Sequence, residues 1–401
     1  MERSTGIALG IVYGLIFLVL GPGKVDLDSH YPIAQAFLAG RLHLTDSIPW
    51  LELVPRPEGG WYSPFPPFLS VLLVPAVAFG VVIDTNLLAA LFGGLSVFLV
   101  WELLGRLGSE RRARVGLTVG WALGSQVFWV AAEGGQHLAP QMAAAALLLA
   151  SLVLGLERRA PLLAGLLFAA AVAARLPVGL ALPVLLYLYR PLSPGPAVRA
   201  ELVGTGPPAA GQRTRIWWGP WLSFIAAASI PLALLALYNV ARFASPLEFG
   251  YGLIRDVNGH SVLEEPWYAH GIVSPAYLPQ GLYTMLLRGL DWRESFPWFR
   301  ADLGGVSVLL TMPILWWVFG ARGRLALVTG LSVVLVLIPG LLHGNPGFAQ
   351  IGYRFILDAL PLLWLLLGLA LREGLPRPAA AALVAGIAVN TWLSAVHWAG
   401  L

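Results

Sequence analysis

Two aspartates one residue apart, Asp26 and Asp28, follow the first apolar segment and have the side chains best suited to chemistry. A carboxylate held at a membrane interface is costly to keep there without a partner, so it indicates a functional site. A carboxylate can accept the proton of an attacking hydroxyl group, and two together can bind Mg²⁺ or Mn²⁺ through oxygen. The alternative is that both acids cap a helix predicted to begin near Tyr31.

The same polar stretch ends in an aromatic and proline-rich run, Gly60-Trp61-Tyr62-Ser63-Pro64-Phe65-Pro66-Pro67. Its rings, including Tyr62, would line a groove for a lipid or a sugar. Aromatic side chains also favour the headgroup level of a bilayer, so an ordinary aromatic belt explains the same pattern.

Four polar residues farther along the chain are candidates for binding a substrate or its phosphate group. Gln136 and His137 follow Gly134-Gly135, which permit a tight turn between two apolar segments. Arg175 and Arg354 carry the guanidinium group that phosphates select for its charge and fork geometry. The alternatives are an interfacial histidine, arginines that reach lipid headgroups, and an ion pair between Arg354 and Asp358 one turn later.

The composition is that of a multi-pass membrane protein. Hydrophobic residues make up 58% of the chain and charged residues only 11%, with a mean hydropathy of +0.75. A water-soluble chain of this length needs far more charge for its surface. The absence of cysteine excludes disulfides and thiolate chemistry. No nucleotide-binding or serine-hydrolase motif is found either.

The distribution of arginine predicts how the chain crosses the membrane. If residues 67–82 form a re-entrant or interfacial helix, most arginines, including those at 106–114, fall on the inner side. The N-terminus is then cytoplasmic, and the C-terminus and the candidate site lie outside. We therefore predict an all-α polytopic fold with about 11 transmembrane helices, whose apolar segments cover residues 6–20, 86–104, 115–132, 138–156, 161–174, 177–189, 217–240, 304–319, 325–342, 354–371 and 378–398.

We interpret residues 1–401 as a single transmembrane domain with three notable connections. Residues 21–66 form the first outer loop and carry the candidate catalytic acids. Residues 190–215 form a Pro/Gly-rich cytoplasmic loop, and residues 241–303 form a second long outer loop. All seven histidines fall on or near the outer side, which places ligand-capable groups on one face.

Taken in order, several short motifs resemble the GT-C superfamily of integral-membrane glycosyltransferases, in particular its protein O-mannosyltransferase-like and aminoarabinose-transferase-like bacterial branch. The resemblance rests on Asp26-Leu27-Asp28-Ser29-His30-Tyr31, Gly60 to Pro67, Gln136-His137, Arg175-Leu176-Pro177 and Gln350-Ile351-Gly352-Tyr353-Arg354-Phe355. It implies transfer of a sugar from a polyprenyl-phosphate donor to a lipid, glycan or protein acceptor at the outer face of the cell membrane.

The resemblance also implies roles for particular residues. Asp28 is the leading candidate for the base and Asp26 the second, with a divalent cation, Mg or Mn, as a possible cofactor. Arg354 and Arg175 would neutralise the donor phosphate, and Gln136, His137, Tyr62 and His30 would bind substrate. The alternatives from other classes are a transporter or lipid flippase, which predicts buried acids or broken helices, and a non-catalytic relative.

Overall fold

The structure, a computed structural model, describes residues 2–23, 28–48, 51–191, 218–256, 258–302, 304–347 and 350–401. Asp26 and residues 192–217, most of the predicted cytoplasmic loop, therefore lie outside the described residues.

Apolar sequence forms helices here because a helix satisfies every internal backbone hydrogen bond without water. The α-helices are α1 (Glu2–Leu20), α2 (His30–Leu38), α3 (Phe68–Ala78), α4 (Thr85–Arg106), α5 (Arg111–Leu123), α6 (Gln126–Glu133), α7 (Gly135–Glu157), α8 (Pro161–Ala174), α9 (Leu182–Leu188), α10 (Gly219–Phe243), α11 (Leu278–Leu286), α12 (Val308–Thr311), α13 (Arg324–Leu341), α14 (Leu360–Ala370) and α15 (Arg377–Trp398).

Shorter elements connect these helices. Two hairpins pair β1 (Val54–Pro55) with β2 (Trp61–Tyr62) and β3 (Asp291–Trp292) with β4 (Phe299–Arg300). Segments of 3₁₀ helix cover Leu176–Ala181, Tyr251–Leu253, Val262–Glu264, Pro266–Tyr268, Pro275–Tyr277, Pro313–Gly320 and Arg354–Asp358.

The predicted helical, multi-pass fold class is confirmed, and the described part of every predicted apolar segment is largely helical. Within the described residues, six helices are long and apolar enough to cross a membrane: α1, α4, α7, α10, α13 and α15. The pair α5 and α6, bent by 48°, adds a seventh if it is one span. The other segments are shorter or broken, for example at Arg175 and at Arg354–Asp358.

The bundle has two chemically different ends. At one end Arg114 contacts Glu2 at 2.7 Å and Arg106 contacts Glu157 at 3.0 Å. At the other end, which we call the loop-bearing end, α1, α6, α10 and α15 finish and the residues of both predicted outer loops pack together. Every candidate site residue that the structure describes lies at or near the loop-bearing end.

The segment 67–82 begins and ends near the loop-bearing end. Ser70 of α3 lies 3.4 Å from His30 Nδ1. After the segment, Asp84 caps α4 by accepting the N–H of Asn86, and Thr85 accepts the N–H of Gly135 at 3.2 Å. The segment contains the 11-residue helix α3, and its re-entrant course stays a prediction.

Candidate active site

A cavity of about 380 Å³ opens at the loop-bearing end, between the two broken helical segments and the two predicted outer loops. Its wall is mostly apolar, with a few polar side chains, a composition typical of small-molecule sites. Its polar and aromatic lining consists of Glu52, Gln136, His137, Arg175, Tyr251, Tyr268, His343, Asn345, Arg354 and Asp358, with Phe65 and Phe355.

Arg354 enters the cavity from a tightly fixed segment. Val306 pairs with this segment, accepting the N–H of Tyr353 at 3.1 Å, and Gln350 Oε1 accepts the N–H of Arg354 at 3.1 Å. A Cβ at position 352 would lie 2.1 Å from Gln126 Nε2, so a larger residue there would require the end of the Gln126 side chain to move.

Arg175 and Arg354 share the cavity but differ in their partners. Arg175 makes a two-pronged pair with Asp358, from Nε at 3.1 Å and from Nη2 at 2.9 Å. The alternative interpretation that Asp358 pairs with Arg354 is therefore wrong. Within the described residues the Arg354 guanidinium has no hydrogen-bond partner, and its Nε is buried. The ring of Phe355 lies beside both cations, with centroid distances of 5.6 Å for Arg175 and 5.3 Å for Arg354.

Glu52 is the acid of the first predicted outer loop that faces this cavity. The backbone next to it is fixed, since Leu53 accepts the N–H of Arg255 at 3.0 Å and Arg255 in turn pairs with Ser261. The carboxylate lines the cavity, with 47% of its side chain exposed, and the protein around the cavity partly shields it from water. This burial raises the pKa of Glu52, and the positive charge of Arg354 acts in the opposite direction.

Gln136 and His137 reach the site because α7 begins immediately after a glycine turn. Gly134 and Gly135 have φ angles of 68° and 85°, as the predicted tight turn requires. His137 Nε2 lies 3.8 Å from a Glu52 oxygen, and its ring stands edge-on to Phe65 with centroids 5.0 Å apart. Gln136 Oε1 accepts the N–H of Ser29 at 2.6 Å, which joins α7 to the first loop.

Three predicted site residues lie outside the cavity lining. Asp28 Oδ1 accepts the N–H of His30 at 2.8 Å, at the first residue of α2. The His30 side chain is buried between Ser70 and the Gln136 carbonyl, and burial lowers its pKa. Tyr62 packs edge-on against Phe243 at 5.6 Å. The structure therefore brings Gln136, His137, Arg175 and Arg354 together in one cavity, whereas Asp28, His30 and Tyr62 lie beside it.

A buried arginine anchors the first loop. Arg242, at the end of α10, donates to the Ser63 carbonyl at 2.5 Å and to Asn239 Oδ1 at 2.8 Å. Ser63 also lies 3.2 Å from Ser29 through their hydroxyl oxygens. The loop that carries Glu52 is thus tied to two transmembrane helices, α7 and α10.

The described residues do not fit a divalent cation. No three histidine, aspartate or glutamate side chains gather among them as a metal site requires. Asp28 is bonded to a helix N-terminus, and Asp26 lies outside the described residues. We derive no reaction step through a metal.

Glu52, His343 and Tyr268 are cavity residues that the sequence analysis did not single out. Glu52 stands alone in an apolar and proline-containing stretch, so no spacing distinguishes it. His343 follows α13, and its Nδ1–H donates to the Asn345 carbonyl at 2.7 Å. Both His343 and Tyr268 reach the cavity only because the second predicted outer loop pairs with residue 343, through the bridge between Val273 and His343.

No protein-family model matches the sequence, and a comparison with curated proteins gave no match. Among solved structures, the chain is similar to the crystal structure of ArnT from Cupriavidus metallidurans bound to undecaprenyl phosphate, with 15% identity and a TM-score of 0.48. It is also similar to the crystal structure of the Archaeoglobus fulgidus oligosaccharyltransferase in the apo form, with 14% identity and a TM-score of 0.46.

These two matches cover 92% and 99% of this chain but 59% and 56% of the solved chains, so this chain spans less than three fifths of their length. The likeness is one of fold.

Proposed function

We propose that this chain is a membrane glycosyltransferase that moves a sugar from a polyprenyl-phosphate donor to a lipid, glycan or protein acceptor. The observation that carries the proposal is a single apolar cavity in which an acid, Glu52, faces an arginine, Arg354, without a bonding partner among the described residues. In this proposal the loop-bearing end faces the outside of the cell membrane.

The proposed reaction follows from these two charges. The acceptor hydroxyl gives its proton to a carboxylate, and its oxygen attacks the anomeric carbon from the side opposite the phosphate. The bond from that carbon to the phosphate oxygen breaks, and the lipid phosphate leaves with the bonding electrons. The configuration at the anomeric carbon is therefore inverted. Arg354 lies where its guanidinium group can stabilise the negative charge of the leaving phosphate.

Three acids of the first loop are candidates for the role of base. Asp28 is the candidate from the sequence resemblance, with Asp26 second. Glu52 is favoured by geometry, because it lines the cavity and lies 3.8 Å from His137. Its raised pKa keeps a larger fraction protonated at neutral pH than for a free glutamate, and makes the ionised form a stronger base.

The test is transfer of radiolabelled sugar from a small panel of polyprenyl-phosphate sugars, with purified protein and native lipid or protein extract. Wild type, Glu52→Gln and Asp28→Asn are compared in parallel, and donor binding is measured for each. Product from wild type and Asp28→Asn, but not from Glu52→Gln, supports the class and the base. Donor binding without product in any protein contradicts catalysis.

One observation favours a transporter as the second candidate function. Two helical segments break at Arg175 and at Arg354–Asp358, and a buried acid lies at the second break, as that class predicts. In the described structure this acid is already paired with Arg175. Translocation of a fluorescent polyprenyl-phosphate lipid across vesicles containing the purified protein, without sugar transfer, would establish the transporter instead.

A further inference from the structure

A group of exposed aromatic side chains lies on the hairpin 291–300, in the second predicted outer loop. Trp292, Phe296 and Trp298 are 72%, 57% and 54% exposed, and no residue of this hairpin lines the cavity. Large apolar side chains exposed together mark a contact surface. This surface is therefore separate from the candidate active site.

The hairpin packs on the last helix of the bundle. Trp392 of α15 donates its Nε1–H to the Phe299 carbonyl at 3.1 Å. The Trp298 ring is stacked on Trp392, with centroids 6.3 Å apart and an angle of 14° between the planes. Helix α15 is one of the membrane-length helices and has an exposed apolar side that includes Val384. The exposed rings of the hairpin thus continue a surface that faces lipid.

Helix α11, which precedes the hairpin in the chain, also exposes apolar side chains. It buries Gly281 against the backbone of Leu341, at the end of the membrane-length helix α13. On its other side it exposes Leu282 and Tyr283, with Leu287 just beyond its end. Two separate elements of one loop therefore expose apolar side chains beside the ends of two membrane-length helices.

The charges of the hairpin also suit a lipid headgroup layer. Arg293 and Arg300 both bind Asp291, at 2.9 Å and 3.2 Å, and Glu294 offsets the remaining positive charge. The hairpin thus combines aromatic rings with ionic groups and no net charge. Tryptophan and arginine side chains are well suited to the region between headgroups and acyl chains.

We propose that the hairpin 291–300 and α11 form a membrane-interface anchor. Their exposed aromatic and aliphatic side chains enter the boundary between headgroups and acyl chains in the leaflet at the loop-bearing end. The occupant of this surface is lipid, because the surface is continuous with the lipid-facing side of α15. This part of the second loop consequently binds the bilayer, and only the earlier part of the loop covers the cavity.

The chain has no cysteine, so a single introduced cysteine can be labelled without background. Phe296→Cys and Leu287→Cys are labelled with an environment-sensitive fluorophore, and the full-length protein is reconstituted into phosphatidylcholine vesicles with or without brominated acyl chains. The matched control is Asn258→Cys, an exposed position of the same loop that lies in a polar turn. Size-exclusion chromatography confirms that each variant is folded and monodisperse.

The expected result is blue-shifted emission at positions 296 and 287, with quenching by brominated lipid several-fold stronger than at position 258. Emission and quenching equal to those at position 258 would show that the surface lies in water and would overturn the proposal. A blue shift without lipid quenching would also overturn it, because the surface would then be covered by protein, such as a second copy of the chain.

Discussion

Asp28 and Glu52 lie in opposite halves of the first predicted outer loop, and their carboxylates have different surroundings in the structure. Asp28 sits at the start of α2, where it accepts a backbone N–H. Glu52 sits in an irregular stretch between β-bridges and faces a cavity that also contains Arg354. An acid beside a helix N-terminus stabilises the helix, whereas an acid directed into a cavity makes no such structural contact. Position in the fold therefore distinguishes two residues that composition alone does not.

The largest expected effect is the loss of transfer activity in Glu52→Gln. Glutamine keeps the size of the side chain but cannot accept a proton, so we expect turnover to fall by about a hundred- to ten-thousand-fold. Asp28→Asn is the matched variant and should retain near wild-type turnover, because asparagine also accepts a hydrogen bond at a helix start. Initial rates of sugar transfer measure both, and the reverse ranking would assign the base to Asp28.

The next prediction tests whether Arg354 influences the ionisation of Glu52 as well as the leaving phosphate. Removing the cation in Arg354→Gln should lower turnover by about a hundred- to a thousand-fold, as for the loss of one group that stabilises developing charge. Arg354 also lowers the pKa of Glu52, so its removal should raise that pKa further. Because the ionised acid is the active form, the residual activity should rise with pH over a more alkaline range than in wild type. A pH profile equal to that of wild type would show that Arg354 does not influence the ionisation of Glu52.

A third effect concerns the pair that fixes the other arginine. Asp358→Ala leaves Arg175 without its carboxylate in a mostly buried position. Breaking such a pair costs about 3–5 kcal/mol, so the midpoint of thermal unfolding in detergent should fall clearly. The double variant Asp358→Ala/Arg175→Leu removes both charges and should recover much of this loss. Equal midpoints for the single and double variants would contradict the pairing.

The smallest effect tests the structural role of Asp28. Asp28→Ala removes the acceptor of the His30 N–H and should cost about 1 kcal/mol, whereas Asp28→Asn should cost little. Thermal unfolding of both variants, with transfer rates measured on the folded protein, makes the comparison. A large loss of activity in both variants without any loss of stability would indicate a catalytic role for Asp28.

The sequence was sufficient for the helical architecture, because membrane-length apolar segments have few alternatives to helix. The sequence also singled out Arg175, Arg354, Gln136 and His137, which line one cavity in the structure and whose neighbouring Gly or Pro residues mark breaks between helices; their roles stay predictions. It missed Glu52 and His343, because their place in the cavity depends on pairing between loops that are far apart in the chain, such as Leu53 with Arg255. No local pattern encodes such pairing. The same limitation explains why local spacing offered Arg354, four residues away, as the partner of Asp358, whereas the structure pairs it with Arg175.

The bond between Arg175 and Asp358 joins residues that are 183 positions apart. A ribosome completes the arginine long before it reaches the aspartate, and a charge without a partner is costly inside a bilayer. The early helices must therefore keep Arg175 in contact with water or headgroups until the late helices arrive. The pair can form only after residue 358 has been made, so a chain truncated before Asp358 would leave Arg175 dependent on water or headgroups.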